Sequence, residues 1–144
     1  MLPAAETAYL RALTSSVRAV LESRVVGIYL FGSAACGAYR PGNSDLDVQV
    51  VLADTLTGDE PLELARRLAH SALPCPARRP EFVCYARSAI DPATRHPHFS
   101  LNFNTGADLA TDRLTRDPAE EASHGSPQPT QTARFRPPAA PRIE

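Results

Sequence analysis

The sequence predicts an α/β domain, a small mixed sheet with helices packed on it, and three features point there. Residues 25–31 and 48–53 are apolar runs rich in β-branched side chains, the pattern of strands that pass through a core. Residues 4–22 and 59–73 instead repeat their apolar side chains at helical spacing. Another strand-like run, residues 81–86, follows the second helical segment. About 110 residues of such alternating segments suffice for a modest core.

The first helix, over residues 4–22, places Leu10, Leu13, Val17, Val20 and Leu21 on one stripe, with Glu6, Arg11, Arg18 and Glu22 off it. Pro3 suits its first turn. The strand over residues 25–31 ends at Gly32, which lets the backbone turn sharply, and Ser33 adds a small hydroxyl donor. A short helix is expected over residues 34–38, so the turn leaves backbone N–H groups facing outward at a helix start, where an anion is favoured. Residues 40–43, Arg-Pro-Gly-Asn, read as a loop. Beyond Ser44 the next strand opens with Asp45 and Asp47, which strand alternation puts on one face. Two carboxylates so close repel unless a cation lies between them, and Mg²⁺ prefers such oxygens. A phosphate-ready turn beside this acid pair describes a site for a nucleoside triphosphate.

The second helix is opened by Asp59 and Pro61, carries Leu62, Ala65, Leu68, Ala69 and Ala72 as its stripe, and stops at Pro74 and Pro76. Arg66 and Arg67 form its solvated face. Arg78-Arg79-Pro80 leads into the strand that begins with Glu81. Residues 99–103 alternate Phe99, Leu101 and Phe103 against Ser100 and Asn102, a half-buried edge strand ended by Thr105-Gly106. Asn102 and Asn104 could touch a ligand, though outward polar positions on an edge strand need no such role. His96 and His98 flank Pro97 without metal-ligand spacing and read as surface histidines. From residue 116 the chain changes character: these 29 residues hold six prolines, with Phe135 and Ile143 their lone aromatic and large aliphatic side chains. Such a stretch buries too little to offset its ordering entropy, so a domain over residues 1–115 followed by a disordered Pro-rich tail over 116–144 is expected.

Composition narrows the function classes. Hydrophobic content of 43%, with 22% charged residues, is that of a globular protein, and a net charge of −1 gives no general attraction to nucleic acid or membrane. All 15 basic residues are arginine. Cys36, Cys75 and Cys84 fit no metal spacing and are too few for a disulfide scaffold, which suggests a reducing, cytoplasmic setting. No apolar run reaches transmembrane length, and the N-terminus lacks a charged-then-apolar signal pattern.

The residues Gly32-Ser33, Gly37 and Ser44-Asp45-x-Asp47 together resemble the signature of the polymerase-beta-type nucleotidyltransferase superfamily. Within it, Leu30-Phe31-Gly32-Ser33-Ala34 and the run from Arg40 to Asp47 are most similar to the aminoglycoside (streptomycin-type) adenylyltransferases. The resemblance implies the nucleotidyltransferase fold and transfer of AMP from ATP to an acceptor hydroxyl, with two Mg²⁺ ions. It assigns Asp45 and Asp47 to metal and catalysis, and Gly32, Ser33, Arg40 and Ser44 to the nucleotide. The superfamily commonly brings a third carboxylate from the strand after the intervening helix. Glu81 fits that place, as a metal ligand or the general base, and Asp91 is the weaker candidate. An exposed loop arginine remains the other reading of Arg40.

The resembling adenylyltransferases add a helical domain that helps bind the antibiotic, and residues 116–144 offer no segment for one. The first expectation is an aminoglycoside O-adenylyltransferase, with Glu81, Asp91 and Asp108 as the acids available to a cationic acceptor. A minimal, antitoxin-type nucleotidyltransferase that modifies a partner protein, an active site completed by a second subunit, and a truncated non-catalytic remnant are the alternatives.

Overall fold

The computed structural model describes residues 1–93, 95, 97–116 and 141–143. Helix α1 (Ala4–Leu21) leads through a 3₁₀ turn (Glu22–Arg24) to strand β1 (Val25–Phe31) and the single-turn helix α2 (Gly32–Ala35). Strand β2 (Leu46–Leu52), helix α3 (Glu60–Leu68) and strand β3 (Pro80–Ala86) follow. The single-turn helix α4 (Arg87–Ile90) and strands β4 (Leu101–Asn104) and β5 (Arg113–Arg116) complete the described elements. The five strands lie in chain order in one mixed sheet. β2 and β3 are parallel, joined through α3, and the other neighbours are antiparallel.

Period-two alternation divides the sheet into two unlike faces. Ile28, Leu30, Leu46, Val48, Val50, Leu52, Phe82, Cys84, Leu101 and Phe103 point to one side and form the core with Tyr9, Leu10, Leu13, Val17 and Leu21 of α1 and Leu64 and Leu68 of α3. Full burial of each large side chain contributes about 1.5–3 kcal/mol, which holds both helices on this face. The opposite face carries Asp47, Gln49, Glu81, Asn102 and Asn104. Arg24 fastens the start of β1 to the chain beyond β2: its Nε reaches Asp54 at 2.7 Å, its guanidinium pairs with Glu60, and Nη2 donates to the Thr55 carbonyl at 2.7 Å.

The expected elements are present with several differences. The second helix ends at Leu68, not residue 73, because Ala69 is extended (ψ 141°). The turn after it is held by the His70 N–H donating to Thr105 Oγ1 and His70 Nδ1 accepting from the Cys75 N–H. The short helix after β1 begins at Gly32, two residues before the expected start. Glu6, off the apolar stripe of α1, is nevertheless buried: it is 3% exposed and accepts a 2.8 Å hydrogen bond from the Tyr39 hydroxyl, which satisfies the buried carboxyl. Strand 99–103 is not an edge, because β5 pairs along it, with Asn102 opposite Thr115 and Phe103 opposite Leu114. Four residues with Leu114 as their one apolar side chain gave no strand pattern to read.

The expected tail falls mostly on residues 117–140 and 144, which lie outside the described residues, as does His96. Its described ends are both paired. Arg116 belongs to β5. Residues 141–143 lie along the free side of β1, where the Leu30 N–H donates to the Pro141 carbonyl at 3.1 Å and the Ile143 N–H to the Ile28 carbonyl at 2.9 Å. The Arg142 guanidinium donates to the Val26 carbonyl at 2.8 Å, and Ile143 packs against the core. Covering a strand's free edge satisfies backbone groups and removes a pairing hazard. Ile143→Asp is therefore expected to cost about 1 kcal/mol and to lower the melting temperature by a few degrees in a thermal scan. Unchanged melting would mean that the segment adds no stability.

Among the described residues no helix is long and apolar enough to cross a membrane.

Candidate active site

The sheet's open face is built in rows set by strand register. Phe31 pairs with Asp47, Asp47 with Glu81, and Glu81 with Asn104, so these four side chains stand side by side. The next row is Tyr29, Gln49, Val83 and Asn102. Together with Gly32 and Tyr85, most of these residues line one cleft of about 500 Å³. The apolar walls are Phe31 and Val83; the polar groups are Asp47, Glu81, Gln49, Asn102 and Asn104. The Asn104 amide donates to Asn102 Oδ1 at 3.1 Å, which orients the pair.

Gly32 closes the head of the cleft. Its φ of +63° belongs to the left-handed region that side chains disfavour. An added Cβ would also stand 2.0 Å from Asp47 Oδ2. Two independent constraints thus require glycine here, and both serve to bring the turn's backbone against the Asp47 carboxylate.

Electrostatics divides the three expected acids into a pair and an outlier. Asp47 is pushed up to about 6, first by desolvation and then by the charge and hydrogen bonding of Glu81, with a smaller contribution from Asp45. A carboxyl held against its like-charged neighbour is the condition that a divalent cation relieves. Asp45 immediately precedes β2 and does not line the cleft. Arg78 grips it bidentately, Nε to Oδ1 and Nη2 to Oδ2, both at 2.8 Å, and Arg79 Nε lies 3.4 Å from Oδ2. These guanidiniums, the Arg78 hydrogen bond foremost, hold the Asp45 carboxyl below the usual range. The hard oxygens of Asp47 and Glu81 fit Mg²⁺. Among the described residues no three His, Cys, Asp or Glu side chains converge as a metal cluster, and Asp45 is engaged by arginine.

The remaining expected residues lie outside the cleft lining. Ser33 sits in α2, its carbonyl accepting from the Ala38 N–H at 2.9 Å. The Ser44 hydroxyl accepts from the Arg40 N–H at 3.0 Å, and the Arg40 carbonyl accepts from the Ser44 N–H at 2.9 Å, so the two close a turn that delivers the chain to β2. The Arg40 side chain is exposed there. Asp91, the weaker candidate, is exposed after α4; Asp108 is exposed and 3.9 Å from Arg79. Neither lines the cleft, so of the three acids expected around a cationic acceptor Glu81 alone stands there. Gln49 and Tyr85 are lining residues that the sequence reading left out. Continuing the Asp45, Asp47 alternation by one step finds Gln49, and continuing Glu81, Val83 finds Tyr85, whose phenol burial pushes up.

Among curated proteins there is no significant match. Among solved structures, the fold is similar to a spectinomycin adenyltransferase AAD(9) from Enterococcus faecialis, determined with ATP and spectinomycin, at TM-score 0.56 and 19% identity. The match covers 75% of this chain and 48% of that one, so the chain spans about half of that protein's length. A family model described as polymerase beta, nucleotidyltransferase matches residues 16–89, more than half of the chain, from the end of α1 through β3, the run that carries Gly32, Asp45, Asp47 and Glu81. The chain belongs to the polymerase-beta nucleotidyltransferase family.

Proposed function

We propose that the cleft transfers AMP from Mg·ATP to a hydroxyl of a small molecule of the aminoglycoside class. The observation that carries this reading is the row that sets Asp47 beside Glu81 with the Gly32 turn against Asp47. The acceptor oxygen attacks the α-phosphorus in line, the bond to the β-phosphate oxygen breaks, and pyrophosphate leaves while the acceptor proton passes to a base. Asp47 and Glu81, joined by Asp45, would hold the Mg²⁺ ions, which when bound stabilise the attacking and leaving oxygens. The backbone at Gly32 and Ser33 approaches the triphosphate without a side chain in the way. Arg40 and Ser44 belong to this reading as the turn that fixes where β2 begins, with the Arg40 guanidinium available to phosphate.

Glu81 stands next to Asn104 and near the carboxamides of Asn102 and Gln49, groups suited to orient a hydroxyl-rich acceptor. As a base it would take the acceptor proton. The small-molecule acceptor is supported by the structural neighbour, whose structure contains ATP and spectinomycin. A cytoplasmic setting, where ATP and Mg²⁺ are supplied, suits this chemistry, and the three cysteines are free thiols.

The test is Glu81→Gln, followed by calorimetric ATP binding with Mg²⁺ and by label transfer to streptomycin and spectinomycin. Binding is expected within about threefold of wild type, with transfer reduced at least about 100-fold. Transfer at the wild-type rate would make Glu81 a structural residue and leave the reaction without its proposed base.

A further inference from the structure

The bidentate grip of Arg78 on Asp45 occupies both oxygens of a carboxylate that the proposed function gives to metal. We propose that Arg78 is a built-in cation at Asp45, which a divalent metal ion displaces when the site loads. The inference rests on the metal reading above and adds a positioning residue to it.

Three observations support displacement over a fixed structural pair. First, the two segments are already laced by backbone: the Leu46 N–H donates to the Arg79 carbonyl at 3.0 Å and the Arg78 N–H to the Ser44 carbonyl at 3.3 Å. The start of β2 stays beside the start of β3 without the side-chain bridge. Second, exposure is uneven: the Arg78 side chain is 45% exposed and Asp45 14%. The guanidinium can leave into water at little cost, whereas the carboxylate stays near Asp47, whose acidity it already affects, and has need of another cation. Third, the arrangement keeps charge in balance. Glu81 and Asp108 also act on Arg78, so the guanidinium offsets negative charge that would otherwise accumulate before a metal arrives. Arg79 cannot take over the role in full, being a longer 3.4 Å contact and also facing Asp108.

A competitor removed must make the metal bind more tightly. The experiment is Mn²⁺ binding to the nucleotide-free full chain, followed by electron paramagnetic resonance, for wild type, Arg78→Ala, Arg78→Lys and Asp47→Asn, each checked by a thermal melt. Arg78→Ala is expected to bind Mn²⁺ about three- to tenfold more tightly than wild type. Arg78→Lys is expected to fall between them, since an ammonium keeps the charge without the two-pronged fork. A merely structural arginine would leave the affinity unchanged or weaken it. That result, with wild-type binding that depends on Asp47, overturns the proposal alone. If neither wild type nor Arg78→Ala binds Mn²⁺, the metal reading of the cleft fails, and the role of Arg78 falls with it.

Discussion

Gly32→Ala is expected to reduce nucleotidyl transfer at least about 100-fold while leaving the protein folded. The left-handed backbone at this position disfavours a Cβ by about 1–3 kcal/mol. The steric effect is more damaging to the site than the strain. A methyl group placed 2.0 Å from Asp47 Oδ2 cannot coexist with that carboxylate where it stands, so either the turn or Asp47 must move. A misplacement of about 1 Å in a reacting constellation is enough for such a loss. Gly37 provides the control: its φ is also positive, at +76°, yet nothing lies within 4 Å of its added Cβ. Gly37→Ala should therefore show strain in its melting temperature with transfer near wild type. Equal losses in the two variants would place the effect in backbone strain, not in the contact with Asp47.

Asp47→Asn should abolish Mg²⁺-dependent transfer, by at least about 100-fold, and should make the metal-free protein more stable at neutral pH. Burial and the neighbouring Glu81 raise Asp47 from 3.8 to about 6 in the folded protein, so the folded state holds this proton more tightly than the unfolded chain. Stability from this group is complete below about 4 and declines as pH rises through about 6. The decline is on the order of 1–2 kcal/mol once discounted for solvent in an open cleft. Asp45 acts with the opposite sign in a lower window: its carboxyl is lowered by Arg78, so its contribution is present above 3.8 and lost on further acidification. Denaturant melts from about pH 2 to 7, without metal, separate the two. The variant should lose the upper decline and keep the lower one. A wild-type stability flat between about pH 4 and 6 would contradict the strained Asp47–Glu81 pair.

Much of the fold was legible because its strongest segments announce themselves locally. Residues 25–31 and 48–53 can do little but form buried strands, and the stripe from Leu10 to Leu21 needs a sheet to cover it. Gly32 and the acids were legible as types at a spacing. Their pairing was not, because Phe31 opposite Asp47 and Asp47 opposite Glu81 are facts of register across strands, one antiparallel and one parallel. The same long-range register brings Arg78 to Asp45. Arg78-Arg79 is visible in the chain as a charge cluster, but nothing local says which acid it meets. β5 and residues 141–143 escaped for a different reason: one apolar side chain each, Leu114 and Ile143, gives no period, and their order comes from the neighbouring strands. The burial of Glu6, off the helix's apolar stripe, was not legible because its partner, Tyr39, arrives from a loop beyond β1.

The decisive measurement is Mg²⁺-dependent transfer of label from α-labelled ATP, with streptomycin, spectinomycin and a whole-cell protein extract as acceptors, for wild type and Asp47→Asn. Label on an aminoglycoside with wild type, and none with Asp47→Asn, is the predicted result. Label carried to a protein would keep the nucleotidyl chemistry and overturn the small-molecule acceptor. A folded wild-type protein that neither binds Mg·ATP nor labels any acceptor would contradict the assignment of this cleft to nucleotidyl transfer.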